Sequence, residues 1–234
     1  MILIVGGGSG LGKEYAQHCK NQGLDFLILS RNVRGEFAEK TWACNLEDKE
    51  STKVVVKRLA ELGNILNSIV FFQRSRHHKR DNEWNEELSV TVTATREFLI
   101  NSDLLLSPDG NRSIVTIAST VTRLLSPNAS DSYHVSKSAL VQLVRYYARE
   151  LGPKGIRVNA VSPFTFLKQE NIDFYTSSKK WKEIVDTQIP LRRACTSLDI
   201  IQVVNFLTGP NSSYVTGQEI LVDGGVSLSI GIRL

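Results

Sequence analysis

The chain has 234 residues, 41% of them hydrophobic and 22% charged, with 6 prolines and neither a low-complexity tract nor an internal repeat. This composition excludes a mainly disordered protein and a repeat array and suits one globular core, since domains commonly run to about 100–200 residues and α/β folds often exceed that. A formal charge of +4 is too small to imply a nucleic-acid partner, no apolar run approaches the roughly 20 residues of a membrane-spanning helix, and nothing like a signal peptide precedes the strand that begins at Ile2, so a cytoplasmic chain without a membrane partner is expected.

Residues 2–5 form a short apolar run that passes at once into Gly6-Gly7-Gly8-Ser9-Gly10-Leu11-Gly12 and a helix-compatible stretch to about Asn21. A buried strand feeding a tight turn and a helix is the simplest account. Phe26–Leu29 reads as a second strand, preceded by Gly23 as a helix stop, and Thr41–Cys44 as a third. Residues 53–66 predict a helix with Val54, Val55, Leu59 and Leu62 on its apolar side, and Ser68–Phe72 a fourth strand. A helix over 85–106, a strand over Arg112–Ile117, a loop with Pro127, a long helix from about Ser132 to Leu151 and a strand over Arg157–Val161 follow. The segment 162–189 has no long apolar period and reads as an excursion with short helices, extending to about residue 196, over a substrate site. A helix over 197–208, with Leu198, Ile201, Val204 and Phe206 or Leu207 apolar, leads to a last strand at Glu219–Val222. Apolar runs alternating with helical patterns predict right-handed βαβ crossovers. The expected fold is a Rossmann-like, doubly wound parallel sheet in one domain over 1–234, with helices on both faces.

The spacing Gly6, Gly10, Gly12 lies where a strand turns into a helix, and glycine there lets a pyrophosphate approach backbone amides at the helix start. Ser9 and Leu11 belong to the same turn. Ser30 and Arg31 end the second strand with no acidic residue at its tip. A carboxylate there would accept from a ribose diol and repel a 2′-phosphate, whereas Arg31 can pair with that phosphate or stack on adenine, so NADP is favoured over NAD. Asn45, next to Leu46, either bonds the adenine side or caps its own loop.

Tyr133-His134-Val135-Ser136-Lys137 places a phenol and an ammonium on one helix face. A nearby cation favours the phenolate of a group whose ordinary pKa is about 10. Taken alone, the pair is as consistent with a surface coincidence. Ser119, just beyond the fifth strand, adds a hydroxyl able to reach the same crevice, with Thr120 as the alternative donor and loop capping as the plain role for one of them. Cys19, Cys44 and Cys195 are odd in number and widely spaced, which reads as buried thiols and neither a disulfide framework nor a metal site. The run Arg74–Arg80 reads as solvated surface, or as an attractor of phosphate or carboxylate if it borders a cleft.

With Val5–Gly12, Ile117–Ser119, Tyr133–Lys137, Arg157–Pro163 and Val215–Gly225 together, the sequence resembles the short-chain dehydrogenase/reductase family over essentially its whole length. The resemblance implies an NAD(P)-dependent oxidoreductase that interconverts a carbonyl and a secondary alcohol. Ser119 would orient the substrate, Tyr133 would give or take the proton, and Lys137 would tune Tyr133 and hold the nicotinamide ribose. Pro163 and Thr165 would flank the nicotinamide, and a homodimer or homotetramer using the two late helices is implied. Two departures stand out. The family's Asn-Asn-Ala-Gly aligns with Phe71-Phe72-Gln73-Arg74, placing Phe72 beside the cofactor, and its relay asparagine aligns with Thr91, whose hydroxyl cannot copy an amide. The alternative reading is a catalytically impaired NAD(P)-binding regulatory or structural protein. Arg74, Arg76 and His77 suggest an anionic or sugar-derived substrate.

Overall fold

The computed structural model describes residues 1–75, 83–167 and 172–228. Arg76, His77 and the rest of the basic run to Arg80 lie outside the described residues. Seven parallel strands form the central sheet: β1 (Ile2–Val5), β2 (Phe26–Ser30), β3 (Thr41–Ala43), β4 (Ser68–Phe71), β5 (Arg112–Ile117), β6 (Ile156–Pro163) and, last in the chain, β9 (Glu219–Val222). Their order is β3-β2-β1-β4-β5-β6-β9. The chain builds outward from β1 to β3 and then restarts at β4 on the other side of β1, which opens a crevice beyond the carboxyl ends of β1 and β4.

Strand alternation sorts the apolar side chains into two cores. Leu3, Val5, Leu27, Leu29, Ile69, Phe71 and Ile114 face one layer. It is made by α2 (Lys49–Glu61), α4 (Ala94–Ile100) and α6 (Asp131–Leu151), whose Val55, Phe98 and Val144 complete it. Ile4, Phe26, Ile28, Val70 and Val115 face the other, against Tyr15 and Ala16 of α1 (Gly10–Asn21) and Ile200, Val204 and Leu207 of α9 (Ser197–Thr208). Sheet strands buried on both faces explain why their sequences are continuous apolar runs. At the sheet's far end, Arg157 staples β6 to the end of α9, its guanidinium donating to Leu207 O at 2.8 Å, Ser212 Oγ at 2.8 Å and Asn111 Oδ1 at 2.7 Å.

Several expected boundaries move. The helix predicted over 53–66 starts earlier and stops at Glu61, because the Asp48 side chain caps it by accepting from Glu50 N at 2.9 Å and Gly63 turns left-handed at φ +81°. That frame turns Val55, Val56 and Leu59 inward and leaves Val54 and Leu62 exposed. In α9, Leu198 and Phe206 are likewise exposed, and Ile200, Ile201, Val204 and Leu207 carry the packing. β3 and β4 end one residue early and β6 runs on to Pro163, since its pairing with β9 starts at Ala160 and continues to the end. Cys19 and Cys44 are buried thiols, and Cys195 is partly exposed.

The helix expected over 85–106 is broken into α3 (Glu83–Leu88), a π turn at Ser89–Thr93, α4 and α5 (Ser102–Leu105). The turn falls on Ser-Val-Thr-Val-Thr, a run of β-branched and hydroxyl side chains that lose rotamer freedom in an α-helix or compete for its backbone. Within 162–196, β7 (Phe166–Leu167) pairs with β8 (Cys195–Thr196), and α7 (Ile172–Ser177) and α8 (Lys179–Gln188) complete the excursion.

Candidate active site

The phosphate-sized turn is shaped by what its glycines leave room for. Gly6 has φ +81°, and a Cβ on it would lie 2.6 Å from Gln73 N, so the turn after β1 can pass the segment after β4 only without a side chain. A Cβ on Gly12 would lie 2.6 Å from the Gly6 carbonyl oxygen, so Gly12 seats α1 on the turn and does not itself border the crevice. Gly10 has φ +54° and nothing within 4 Å of the place a Cβ would take, which leaves the start of α1 open to the crevice.

The crevice is about 1140 Å³. Gly6, Ser9, Gly10, Leu11, Ser30, Arg31, Asn45, Leu46, Phe72, Pro163 and Thr165 border it, as do Ser119, Thr120, Tyr133 and Lys137. An elongated cleft with a glycine turn and a helix start at one end and a phenol and ammonium at the other fits a dinucleotide in size and in donor set. Arg31 is not free at the crevice mouth: its Nη1 pairs with Glu47 Oε1 at 3.0 Å. Asn45 serves as a loop cap, its Oδ1 accepting from Glu47 N at 3.3 Å. Phe72 packs on Tyr15, with ring centroids 5.1 Å apart.

Ser119 ends the stretch that follows β5, buried at the crevice wall, and its Oγ accepts a long bond from Val121 N at 3.4 Å. Ser130 caps α6 by accepting from Tyr133 N at 3.3 Å, which puts Tyr133 in the first helical turn and Lys137 one turn later on the same face. Lys137 Nζ donates to Ile117 O at 2.9 Å and sits 5.7 Å from the Tyr133 ring centroid. Burial pushes the Lys137 ammonium down to about 8, with the Glu87 carboxylate opposing that shift and the Arg74 guanidinium adding to it. Arg74 lies over the other partner, its guanidinium carbon 5.5 Å from the Tyr133 ring centroid.

Thr91 sits behind the crevice wall, buried in the π turn. Its hydroxyl donates to Glu87 Oε1 at 2.9 Å and its carbonyl accepts from Thr95 Oγ1 at 2.8 Å. Gln73, in the segment that departs from the family pattern, donates through Nε2 to Thr95 Oγ1 at 2.8 Å and to Val90 O at 3.4 Å. The long Gln73 side chain thus braces the π turn from the segment after β4.

Two buried carboxylates escaped the sequence reading. Glu87 accepts from Thr91 and from Ser136 Oγ, the latter at 3.2 Å. Its one sequence signal is a charge where an amphipathic helix calls for an apolar residue. Glu219 accepts from Ser162 Oγ at 2.8 Å, from the Arg123 guanidinium at 3.0 Å and 3.1 Å, and from Thr122 Oγ1, tying the Ser119 turn to β6 and β9. Burial works to raise its pKa, and those donors outweigh it and hold the carboxyl below its ordinary value. Among the described residues no group of three or more His, Cys, Asp and Glu could hold a metal ion, and no helix is long and apolar enough to cross a membrane.

A doubly wound sheet, a glycine turn at its switch point and a Ser-Tyr-Lys grouping at the carboxyl ends of its strands define a short-chain dehydrogenase/reductase, and the chain belongs to that family. The family model described as Enoyl-(Acyl carrier protein) reductase matches residues 6–227. The chain is 29% identical over 242 residues to isoepoxydon dehydrogenase patN of Aspergillus clavatus, covering 96% of this chain and 93% of that protein. It is 30% identical over 246 residues to the human Dehydrogenase/reductase SDR family member 2, mitochondrial, covering 96% of this chain and 85% of that one. Among solved structures, ligand-free aldohexose dehydrogenase of Thermoplasma acidophilum superposes with a TM-score of 0.85 at 21% identity, covering 100% of this chain and 96% of that one. Family membership makes this an NAD(P)-dependent oxidoreductase.

Proposed function

We propose that the protein interconverts a carbonyl and a secondary alcohol at Tyr133, with NADP(H) preferred to NAD(H). The observation that carries this reading is the grouping at the crevice floor: Tyr133 flanked by the buried Lys137 ammonium, with the Ser119 hydroxyl on the adjacent wall. The nicotinamide supplies or accepts the hydride when bound. Gly6, Ser9, Gly10 and Leu11 would hold its pyrophosphate, Pro163 and Thr165 its nicotinamide end, and Asn45, Leu46 and Phe72 would border its adenosine and ribose. Gly12 contributes by seating the helix whose amides face the phosphates.

In the reductive direction Ser119 donates to the substrate oxygen, and Tyr133 gives up its phenolic proton as negative charge develops there. The Lys137 ammonium offsets the charge left on the phenol, an interaction strengthened by its burial. Thr91 acts at one remove, since its hydroxyl is committed to Glu87.

The preference for NADP(H) rests on Ser30 and Arg31 at the tip of β2, with Arg34 also bordering the crevice. A 2′-phosphate would take over or share the guanidinium that Glu47 now holds. The 4-hydroxyisoleucine dehydrogenase that shares this fold is complexed with NADH, which keeps NAD(H) as the second reading. Arg74 over Tyr133 favours a substrate with an anionic or polyhydroxylated portion, a class that includes sugar derivatives. Exposed Phe206 and Leu198 on α9 and Tyr146 on α6 support a homodimer or homotetramer built on the late helices.

The test is Tyr133→Phe in NADPH- and NADH-dependent assays across a carbonyl panel. We expect cofactor binding to be retained and turnover to fall by a factor of about 10² or more. Undiminished turnover in the variant removes Tyr133 from the chemistry.

A further inference from the structure

We propose that Glu87 is a positioning residue of this active site: its buried carboxylate, aimed by the hydroxyls of Thr91 and Ser136, is the counter-charge that keeps Lys137 an ammonium beside the Tyr133 ring. The inference deepens the oxidoreductase reading above and rests on it for its catalytic meaning.

A carboxylate exposed over only 3% of its surface is expensive to bury unless it is hydrogen-bonded and neutralised. Glu87 has the first kind of support in two hydrogen bonds. Thr91 Oγ1, one helical turn along, donates at 2.9 Å, and Ser136 Oγ, from the facing helix α6, donates at 3.2 Å to the same Oε1. The Ser136 bond ties α3 to α6 beside the lysine, and Glu87 and Lys137 border the same crevice.

Among the described residues the charges around Lys137 come from few elements. Arg74, following β4, disfavours its ammonium, and Glu87, on α3, favours it. Tyr133 lies one turn back on α6 itself. Among the described residues, the segments that pack near Lys137 add hydroxyls: the π turn is Ser-Val-Thr-Val-Thr, and the turn at Thr120–Thr122 carries hydroxyls and a valine, while Arg96 and Glu97 of α4 act on Tyr147 toward the far end of α6 and Lys154 beyond that end pairs with Asp103. On β6 the charged group is Arg157, which is committed at the opposite end of the strand, and Glu83 at the start of α3 accepts from Ser132. Burial and Arg74 both disfavour the charged lysine, and Glu87 opposes them. The arrangement also gives Thr91 a purpose. Where the family pattern has an amide, this chain has a hydroxyl that holds a carboxylate in place.

Glu87→Gln keeps the shape and one acceptor oxygen for the Thr91 and Ser136 hydroxyls and removes the charge. The Lys137 Nζ titration is followed by 15N NMR in the protein without substrate, and the alkaline limb of kcat/KM against pH is followed in the reductive assay. Loss of the neighbouring carboxylate should move both midpoints toward acid by about one pH unit. Glu87→Asp, which restores the charge, should return both most of the way. Should Glu87→Gln fail to fold, Thr91→Val, which keeps the charge and frees the carboxylate to turn away, is read the same way. Midpoints that stay in place in the folded variant overturn the proposal. A wild-type protein without turnover on any carbonyl would instead overturn the oxidoreductase reading, and the lysine titration would still decide the role of Glu87.

Discussion

Replacing Lys137 should change how stability depends on pH, and the size of the effect follows from the site. In the folded chain burial holds the Lys137 ammonium near 8, against an ordinary value of 10.5. The charged lysine is therefore a penalty on folding, fully present below pH 8 and relieved as pH rises from 8 toward 10.5, because in that window the unfolded chain binds the proton that the folded chain has lost. At about 1.4 kcal/mol for each pH unit of displacement, the whole penalty is roughly 3 kcal/mol, of which roughly 2 kcal/mol is relieved between about pH 7.5 and 9.5. Cys19, Cys44 and Cys195 oppose this trend: burial pushes each thiol up to about 11, so the unfolded chain ionises first and stability falls as pH rises through the ordinary thiol range. The wild-type curve alone is thus ambiguous, and the difference from Lys137→Met isolates the lysine. Urea unfolding of both proteins should give a difference, wild type minus variant, that climbs by roughly 2 kcal/mol across that range. A flat difference would mean that Lys137 titrates at its ordinary value, and the account of a buried, tuned ammonium would fail.

Gly6→Ala should cost at least about 2 kcal/mol of stability and abolish cofactor binding, since it combines a φ of +81° with a Cβ placed 2.6 Å from Gln73 N. Urea unfolding and a fluorescence titration with NADPH check it, and unimpaired binding would refute the role given to the turn. Glu219→Ala strips the acceptor from Ser162, Thr122 and Arg123 and should cost roughly 2 kcal/mol, discounted because Arg123 is half exposed. The Glu219 carboxyl sits below its ordinary value, so its contribution is present above that value and is lost as pH falls through the depressed one. The stability gap between wild type and Glu219→Ala should accordingly narrow in acid, and a gap independent of pH would exclude the ion pair as its source.

Much of the site was legible because its parts are local. A glycine turn between an apolar run and a helix, and a Tyr-x-x-x-Lys pair one helical turn apart, are patterns whose geometry follows from chain stereochemistry over a few residues. The two-faced sheet was equally legible, since Ile4 and Leu3, or Val70 and Ile69, must point to opposite layers wherever the run forms a strand. Helix frames were less so. Val54 against Val56 and Leu198 against Ile200 differ only in rotation about an axis, and caps and neighbours select that rotation.

Pairings between groups far apart in sequence arise only in the folded chain. Glu87 became a partner of Ser136, and Glu219 of Ser162, because α3 packs on α6 and β9 pairs with β6. Arg31 was legible as a cation without an acid at the strand tip, and yet Glu47, brought alongside at the end of β3, already holds it. The π turn at Ser89–Thr93 belongs to the same class: its sequence makes a poor α-helix, but the long Gln73 side chain that takes up Val90 O comes from another segment. Local sequence determines which conformations and chemistries are available to each segment. Charge compensation in the interior acts through space, so the partners that make a buried lysine usable are known only once the chain has closed around it.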